Sequence, residues 1–488
     1  MSETSNIKSK AFSGVIWKMA ERMGSQFVSI IVGIILARLL TPEDYSVVAV
    51  VSIFFVFCNV FITGGLNTAL IQKKDADELD FSTVLFVSLP ISVIIYLIMF
   101  FAAPVIANLY NKEILVPVIR VMSLTLIITA YQGVVSAKIS NDLAFKKTFI
   151  PAFVSIAISA VIGIIMAYKG FGVWALVAQQ MSSAIISSII LTYVSKIKFK
   201  IAFSFERLKK LFDYGWKMFI SSVIAVIYDE IKPLIVGVKF STVDLAYYNK
   251  GKSYPQMLNS SICDTISAVL FPVISKFQDS REDVLSITRK FMQVSSYIVT
   301  PVLVGFFVVS DNFIELLLTG KWLPSSAYIK IFCVSFIFNI VQTANLQAIR
   351  AIGRSDIILK LEIIKKTLFF IIIALFVFFS DSPYMLAVSG IVCTLVATAI
   401  NAYPNRKLIG YKYRQQLADI LPNITIGIAM GVIVYCIGLL SITLLFRTVL
   451  QVVTGILSYV FLSFITKNGS FKYLLSFIKG RIGGTNND

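Results

Sequence analysis

The chain of 488 residues contains no histidine, and this absence removes several classes of function at once. Histidine-based metal sites, Ser-His-Asp triads and histidine proton relays are all excluded. The five cysteines lie within apolar runs and never in a Cys-x-x-Cys pair, so we interpret them as small buried apolar residues. They are Cys58, Cys263, Cys333, Cys393 and Cys436.

Charge is also scarce, because only 14% of the residues are charged while 57% are hydrophobic. The mean hydropathy is +0.84. A soluble domain of this length has too little interior for so much apolar surface, and repeated apolar runs of about 20 residues are typical of helices that cross a bilayer. The sequence therefore predicts an all-α integral membrane protein. The N-terminal residues lack the pattern of a cleaved signal peptide, so we expect the first helix to be retained.

The apolar runs predict about 14 transmembrane helices. The predicted spans are residues 13–38, 45–71, 82–108, 114–137, 148–168, 172–195, 214–239, 245–275, 288–318, 325–349, 357–380, 384–404, 417–440 and 442–466. The longest connection between spans, residues 196–217, is basic and amphipathic, and we expect it to lie on the inner membrane surface.

The net charge of +18 would suggest nucleic-acid binding in a soluble protein. In a membrane protein the positive-inside rule explains it better, so we expect no nucleic-acid partner. Most loop lysines and arginines fall on one side of the predicted membrane. The opposite side holds only Arg38, Lys112, Lys169, Lys239 and Lys321. Both termini are therefore predicted to be cytoplasmic.

One segment of the chain is similar to another segment 200 residues later. "ILARLLTPEDYSVVAV" (35–50) aligns without a gap with "IVGVKFSTVDLAYYNK" (235–250). Further matches in the same order are "WKM" at 17–19 and 216–218, and "VIRVMSL" (118–124) with "YIKIFCV" (328–334). We interpret these matches as a duplication of six spans. Because six is even, the copies share one orientation, and such parallel bundles around a central cavity are typical of alternating-access transporters.

The repeat predicts the domain organisation. A six-helix bundle over residues 1–195 is followed by a cytoplasmic amphipathic linker, 196–213, and a second six-helix bundle, 214–408. Helices 13 and 14 occupy residues 409–466, and a basic cytoplasmic tail occupies 467–488.

Polar residues recur with helical spacing on spans 1, 2, 7 and 8, and also occur on spans 4 and 10. A charge at the bilayer centre costs about 3 kcal/mol, so we predict that these residues line a wet central cavity. The candidate substrate-binding cations are Lys18, Arg22, Arg120, Lys232 and Lys252. The candidate polar lining residues are Asn59, Asn67, Gln256, Asn259, Asn339 and Gln342. Ordinary hydrogen bonding between helices remains an alternative for the amides, and snorkelling to headgroups remains one for Lys18 and Arg22.

An excess of lysine and arginine suits an anionic solute, because arginine offers a fork for phosphate oxygens and lysine a point charge. The carboxylates on these spans either neutralise the cations or bind a coupling proton or Na⁺, and both roles stay open. They are Glu21, Asp229, Glu230 and Asp264. We find no catalytic constellation and no metal site, and we expect no cofactor beyond a coupling H⁺ or Na⁺.

Three segments together resemble a known family. "SGVIWKMAERMGSQ…IILARLLTPEDYSVVAV", "NDLAFKKTF" and "AYYNKGKSYPQM" look like the Wzx-type polysaccharide flippases of the multidrug/oligosaccharidyl-lipid/polysaccharide exporter superfamily. The chain departs from the family pattern at Ser46, where a glycine is usual. The resemblance implies a multi-pass protein of the bacterial cytoplasmic membrane. Its implied substrate is an undecaprenyl-diphosphate-linked oligosaccharide, moved to the outer leaflet for lipopolysaccharide, capsule or exopolysaccharide biosynthesis.

Two other functions are weighed against this one. A cation-coupled small-molecule or drug antiporter of the same superfamily would have the same fold, but the extra helix pair and the cationic stripe argue against it. A membrane glycosyltransferase or polysaccharide polymerase would carry a large outer loop, and the predicted outer loops are short. The partners implied are the lipid-linked oligosaccharide and membrane lipids, together with a polymerase and glycosyltransferases of the same biosynthesis.

Overall fold

A computed structural model of the chain describes the backbone of residues 21, 23–63, 65–73, 75–142, 144, 146–197 and 199–483. Within these ranges it does not describe the side chains of residues 214, 264–266, 268, 269, 271, 272, 355 and 477–483. All regular secondary structure in the described ranges is helical, which confirms the predicted all-α class.

The helices follow one another with short connections. They are α1 (Met23–Leu39), α2 (Pro42–Thr63), α3 (Leu66–Gln72), α4 (Glu78–Leu109), α5 (Leu115–Met122), α6 (Leu124–Asn141), α7 (Lys146–Tyr168), α8 (Val173–Ser195), α9 (Phe205–Ile235), α10 (Thr242–Lys276), α11 (Arg281–Leu318), α12 (Pro324–Ile337), α13 (Asn339–Ala351), α14 (Ser355–Phe379), α15 (Pro383–Leu408), α16 (Tyr413–Gly438), α17 (Leu444–Ile465) and α18 (Gly469–Gly483). A π-helix (Val236–Phe240) follows α9, and a 3₁₀ turn (Gly320–Trp322) precedes α12.

Each predicted span from 45–71 onward overlaps one helix or two consecutive helices, and residues 23–38 of the first predicted span lie in α1; residues 13–20 and 22 of that span are outside the described part of the chain. Ten stretches of the described chain are long and apolar enough to cross a membrane, and Met23–Leu39 is a shorter apolar helix. The protein is thus a multi-pass membrane protein by the length and composition of its helices. The count of 14 spans stays a prediction.

Three of the predicted spans are interrupted. The span predicted over 45–71 divides into α2 and α3 around Gly65, the span over 114–137 divides at Ser123, and the span over 325–349 divides at Phe338. Apolar patterning does not reveal such breaks, because both halves keep the same character. Ser123 lies within the aligned segment "VIRVMSL" (118–124), whereas Phe338 lies four residues beyond "YIKIFCV" (328–334), so the two breaks are not in register and the duplication stays a prediction.

The aligned corners at 41–44 and 241–244 have the same hydrogen bonds. Thr41 Oγ1 donates to Asp44 Oδ2 over 2.9 Å, and the Asp44 amide donates back to Thr41 Oγ1 over 3.3 Å. Ser241 Oγ donates to Asp244 Oδ2 over 2.6 Å, and the Asp244 amide donates back over 2.9 Å. Each hydroxyl therefore caps the following helix, as expected of a residue that precedes its first turn.

By its internal contacts the chain divides into two compact units, residues 1–246 and 247–488. In the first unit, α9 packs on α2, α3 and α4. The contact division therefore groups this helix with the N-terminal unit, whereas the sequence predicts a second bundle that begins at residue 214. The predicted bundle boundaries themselves stay a prediction.

A strap of residues 199–204 binds the start of α9 to the start of α4. The Lys200 amide donates to Ser82 Oγ over 2.9 Å, and the Ser204 amide donates to Thr83 Oγ1 over 3.3 Å. Ser204 then caps α9 through the Arg207 amide. This cap and the absence of a helix breaker make 205–213 the first turns of α9, so the second half of the predicted amphipathic linker is helical, and its role as a cytoplasmic linker stays a prediction.

The second unit is built around the long helix α11, which packs against α12, α13, α16 and α17. The tail predicted over 467–488 is a helix over Gly469–Gly483, and it also packs against α11. Phe471 lies beside the ring of Tyr297, and Lys290 Nζ lies 4.1 Å from the ring centroid of Tyr473. Its aromatic residues explain why this segment folds back rather than remaining a simple basic tail.

Candidate functional site

Several predicted site residues lie outside the described part of the chain. Lys18 and Arg22 are in this group, and so is the side chain of Asp264. The described candidates divide between the two units. Glu21, Asn59, Asn67, Arg120, Asp229, Glu230 and Lys232 belong to the first unit. Lys252, Gln256, Asn259, Asn339 and Gln342 belong to the second.

In the first unit the two predicted asparagines flank the break between α2 and α3. The Oδ1 atoms of Asn59 and Asn67 are both buried without a hydrogen-bond partner in the described structure. A Cβ added at Gly133 on α6 would lie 2.5 Å from Asn67 Nδ2, so glycine permits this close approach of α6 to α3. An unpaired buried amide oxygen costs about 1–3 kcal/mol, and we therefore expect water or ligand hydroxyls at these two oxygens.

Arg120 is held against its neighbouring helix α4. Its guanidinium lies 4.2 Å from the ring centroid of Phe100, and its Nε–H donates to the Phe100 carbonyl oxygen over 3.4 Å. Cation–π contact of this kind is favourable by about 1 kcal/mol. This arrangement ties the arginine to one place on α4.

The carboxylates of the first unit have different surroundings. Glu21 accepts a hydrogen bond from the hydroxyl of Thr148 on α7. Asp229 is exposed on α9, while Glu230 and Lys232 are half-buried one turn or less away. Three charged side chains in a four-residue stretch inside a predicted span indicate a polar environment at this end of α9. Their assignment as coupling or binding residues stays a prediction.

In the second unit, α10 carries three predicted residues at successive helical turns. Lys252 is half-buried, Gln256 is exposed, and Asn259 is buried and accepts from Cys263 Sγ over 3.5 Å. A spacing of three to four residues places Lys252, Gln256 and Asn259 on one helix face. This is the polar stripe that the sequence predicts for span 8.

The remaining two candidates lie together on α13. Gln342 Nε2 donates to Asn339 Oδ1 over 3.4 Å and to the Thr394 carbonyl oxygen over 3.5 Å. Both bonds are long, so the amides are loosely held and are free to exchange partners. Hydrogen bonding between α13 and α15, the alternative kept open above, accounts for the second contact.

The structure also contains ion pairs that the sequence does not predict, although Lys330 is expected among the polar residues of span 10. Asp419 on α16 accepts from Arg289 Nε and Nη2 over 2.6 and 2.8 Å, and from Tyr411 OH over 2.7 Å. Asp311 on α11 pairs with Lys330 on α12 over 2.6 Å. The cations of the two ion pairs lie 130 and 19 residues from their carboxylates, and only the folded chain brings them together.

A buried amide cluster lies beside the first of these ion pairs. Asn345 on α13 exchanges hydrogen bonds of 2.7 and 3.0 Å with Gln416 on α16, and Asn405 on α15 donates to Asn345 Oδ1 over 2.6 Å. All three side chains are fully buried. Networks of this type fix the relative position of three helices, so we assign the cluster a structural role.

Among the ionic groups outside the predicted spans, Asp77 and Lys112 have perturbed pKa values. The Arg207 guanidinium on α9 holds the pKa of the Asp77 carboxyl, which caps α4, well below its usual range. Lys112, between α4 and α5, donates to Ser46 Oγ over 2.8 Å. Burial lowers the pKa of Lys112, while the nearby Glu43 and Asp44 oppose that shift. A glycine, which the family usually has at this position, has no side chain to accept this hydrogen bond from Lys112.

Comparisons with known proteins bear on what this arrangement does. A family model described as "Polysaccharide biosynthesis protein" matches residues 35–327. Succinoglycan biosynthesis transport protein ExoT of Rhizobium meliloti (strain 1021) is 24% identical over 322 residues, which are 66% of this chain and 65% of that protein. That match therefore spans slightly less than two thirds of the relative.

Another relative covers nearly the whole chain. Teichuronic acid biosynthesis protein TuaB of Bacillus subtilis (strain 168) is 23% identical over 492 residues, which are 94% of this chain and 96% of that protein. Among solved structures, Lipid II flippase MurJ in an inward closed conformation superposes with a TM-score of 0.74 at 15% identity, covering 93% of this chain and 98% of MurJ. At that identity the likeness shows a shared fold.

Proposed function

We propose that this chain, which belongs to the polysaccharide biosynthesis protein family, is a flippase for an undecaprenyl-diphosphate-linked oligosaccharide. The family match and the named relatives confirm the resemblance to Wzx-type exporters, and the protein is a membrane transporter of that superfamily rather than an enzyme. The finer statement, with its substrate and its direction from the inner to the outer leaflet, is our proposal.

The observation that carries this proposal is the family match over residues 35–327 on a fold shared with a flippase. The charge distribution supports it. The described candidates include the cations Arg120, Lys232 and Lys252 within predicted spans, where an uncompensated charge is costly. A diphosphate needs such cations, and sugar hydroxyls need amides such as those on α10 and α13.

The proposed topology supports transport from the inner to the outer leaflet. Cytoplasmic termini in the inner membrane place the basic loops on the side where the lipid-linked oligosaccharide is made. Alternating access of the two proposed bundles would then expose the diphosphate and sugars first to one side and then to the other. The prenyl tail has no need to leave the bilayer.

The proposal is tested in vesicles that contain the purified protein and a fluorescently labelled lipid-linked oligosaccharide. A membrane-impermeant glycosidase added outside measures how fast the enclosed pool becomes accessible. We expect access to increase with protein and to fall about tenfold in Lys252→Gln, because one charge-assisted phosphate contact is lost. Lys276→Gln, an exposed lysine on the same helix, is the matched control and should transport normally.

One result would contradict the proposal, and a separate result would remove only the coupling hypothesis. If access is no faster than in protein-free vesicles while the same preparation exports a small cationic dye, the drug-antiporter alternative is correct. The coupling hypothesis for Glu21, Asp229, Glu230 and Asp264 has a separate arm, in which a proton or Na⁺ gradient is imposed. Transport that is indifferent to both gradients would remove that hypothesis and leave the flippase assignment intact.

A further inference from the structure

The ion pair between Asp311 and Lys330 lies at a defined depth in the second unit. On α11, residues 291–310 contain no charged side chain, and Asp311 is the first charge after them. On α12 and α13, residues 331–349 are also uncharged, and Lys330 is the last charge before them. At 1.5 Å per residue, each uncharged stretch is about 30 Å long, which is the thickness of the hydrocarbon core.

Two independent helices therefore place the pair at one boundary between hydrocarbon and headgroups. The phosphate groups of membrane lipids lie at this level. In the proposed topology the connection between α11 and α12 faces outward, so the boundary is that of the outer leaflet.

The pair is accessible and is not buried as a structural pair would be. The side chain of Asp311 is 51% exposed and that of Lys330 is 32% exposed, although Nζ and Oδ2 are 2.6 Å apart. Ser326 on α12 also hydrogen-bonds the Asp311 carboxylate. Lys330 thus carries a charge that an incoming anion could reach by displacing Asp311.

We propose that Lys330 binds the phosphate of a lipid diphosphate on the outer-leaflet side, with Asp311 as the internal counter-ion that the phosphate displaces. The inference rests on the proposed flippase function and adds a release site to it. The Asp311 carboxylate, which competes with an anion for this lysine, keeps the affinity for an anion low, and this suits a site from which the product must leave.

The test is equilibrium binding of farnesyl diphosphate to the full-length protein in nanodiscs of neutral phosphatidylcholine. Lys330→Gln should weaken binding about tenfold, and Lys330→Arg should retain most of it, because the positive charge is kept. Asp311→Asn should strengthen binding, because the competing carboxylate charge is gone. Lys290→Gln is the control, since Lys290 lies at the other end of the uncharged stretch of α11 and should change nothing.

The outcomes separate the proposal from a structural role. An ion pair that only stabilises the fold requires Asp311→Asn to weaken binding and to lower the melting temperature as Lys330→Gln does, and that result would overturn the proposal. If Lys330→Gln does not fold, Asp311→Asn and Lys330→Arg still decide the question. A second arm measures the binding of phosphatidylglycerol. If that binding depends on Lys330 as strongly as the binding of farnesyl diphosphate does, the site belongs to ordinary lipid phosphates, and the assignment to a diphosphate is overturned.

Failure of this inference can be told apart from failure of the proposed function. Binding that depends on Lys330, in a protein that moves no lipid-linked oligosaccharide in vesicles, refutes the flippase assignment alone. Normal translocation with diphosphate binding unchanged in Lys330→Gln refutes the release site alone.

Discussion

Replacing Arg289 by methionine should destabilise the second unit, because it leaves a buried carboxylate without its cation. The Asp419 side chain is 6% exposed, and Arg289 supplies two of its four hydrogen bonds, with the others from Tyr411 and Gln293. Asp419 lies on α16 and Arg289 lies on α11. The substitution therefore weakens the packing of α16 on α11, the central helix of this unit.

The magnitude lies between two limits. Breaking a fully buried ion pair by removing one partner costs about 3–5 kcal/mol, whereas an exposed pair contributes about 0–1 kcal/mol. Arg289 is half exposed, and Tyr411 and Gln293 continue to donate to Asp419. We therefore expect a loss of about 2 kcal/mol, which corresponds to a fall of a few degrees in melting temperature.

The assay is thermal unfolding of the purified protein in detergent, followed by tryptophan fluorescence at one fixed scan rate. The double variant Arg289→Met with Asp419→Leu should recover part of the loss, because no unpaired charge remains. Lys210→Met removes an exposed pair with Glu206 on α9 and should leave the melting temperature unchanged. An unchanged melting temperature in Arg289→Met, or a double variant less stable than both single ones, would refute the reasoning.

Two further predictions concern the first unit. Gly65→Ala should lower the melting temperature and the yield, because the new Cβ would lie 2.5 Å from the Gly215 carbonyl oxygen. Overpacking of this kind costs about 1–3 kcal/mol. Gly320→Ala is the control and should leave the melting temperature unchanged, because a Cβ at Gly320 meets no atom within 4 Å. The pKa of Asp77 is lowered by Arg207, so its stabilising contribution is complete above the unfolded carboxyl pKa of about 3.9 and is lost as the pH falls below that value. The melting temperature should therefore depend less on pH in this acidic range in Arg207→Met than in the wild type, and an identical dependence would contradict the assignment.

The sequence predicts the helices well because each bilayer-spanning segment has to satisfy its own backbone hydrogen bonds. The corner at Thr41 and Asp44, and its counterpart at Ser241 and Asp244, were predictable for a related reason. A cap is a local interaction between residues three apart, so the pattern of residue types is enough to identify it.

The interactions between helices were not predictable in this way. Nothing in the sequence around Arg289 indicates that Asp419 is its partner, and nothing around Gly65 indicates that it contacts Gly215. Pairing at these distances depends on helix rotation and tilt, which an apolar pattern does not specify. The candidate site shows the same limit. The sequence predicts which helices carry Asn59 and Lys252, but it does not predict which residues of other helices contact them.

The strap at residues 199–204 has a consequence for synthesis of the protein. The helices α2, α3 and α4, on which α9 packs, all precede it in the chain, and so do Ser82 and Thr83, which bind the strap. This helix can therefore dock as soon as it leaves the ribosome and enters the membrane, before α10 has been made. We therefore expect the nascent chain to complete the packing of the first unit at about residue 246, beyond the predicted bundle boundary at residue 214.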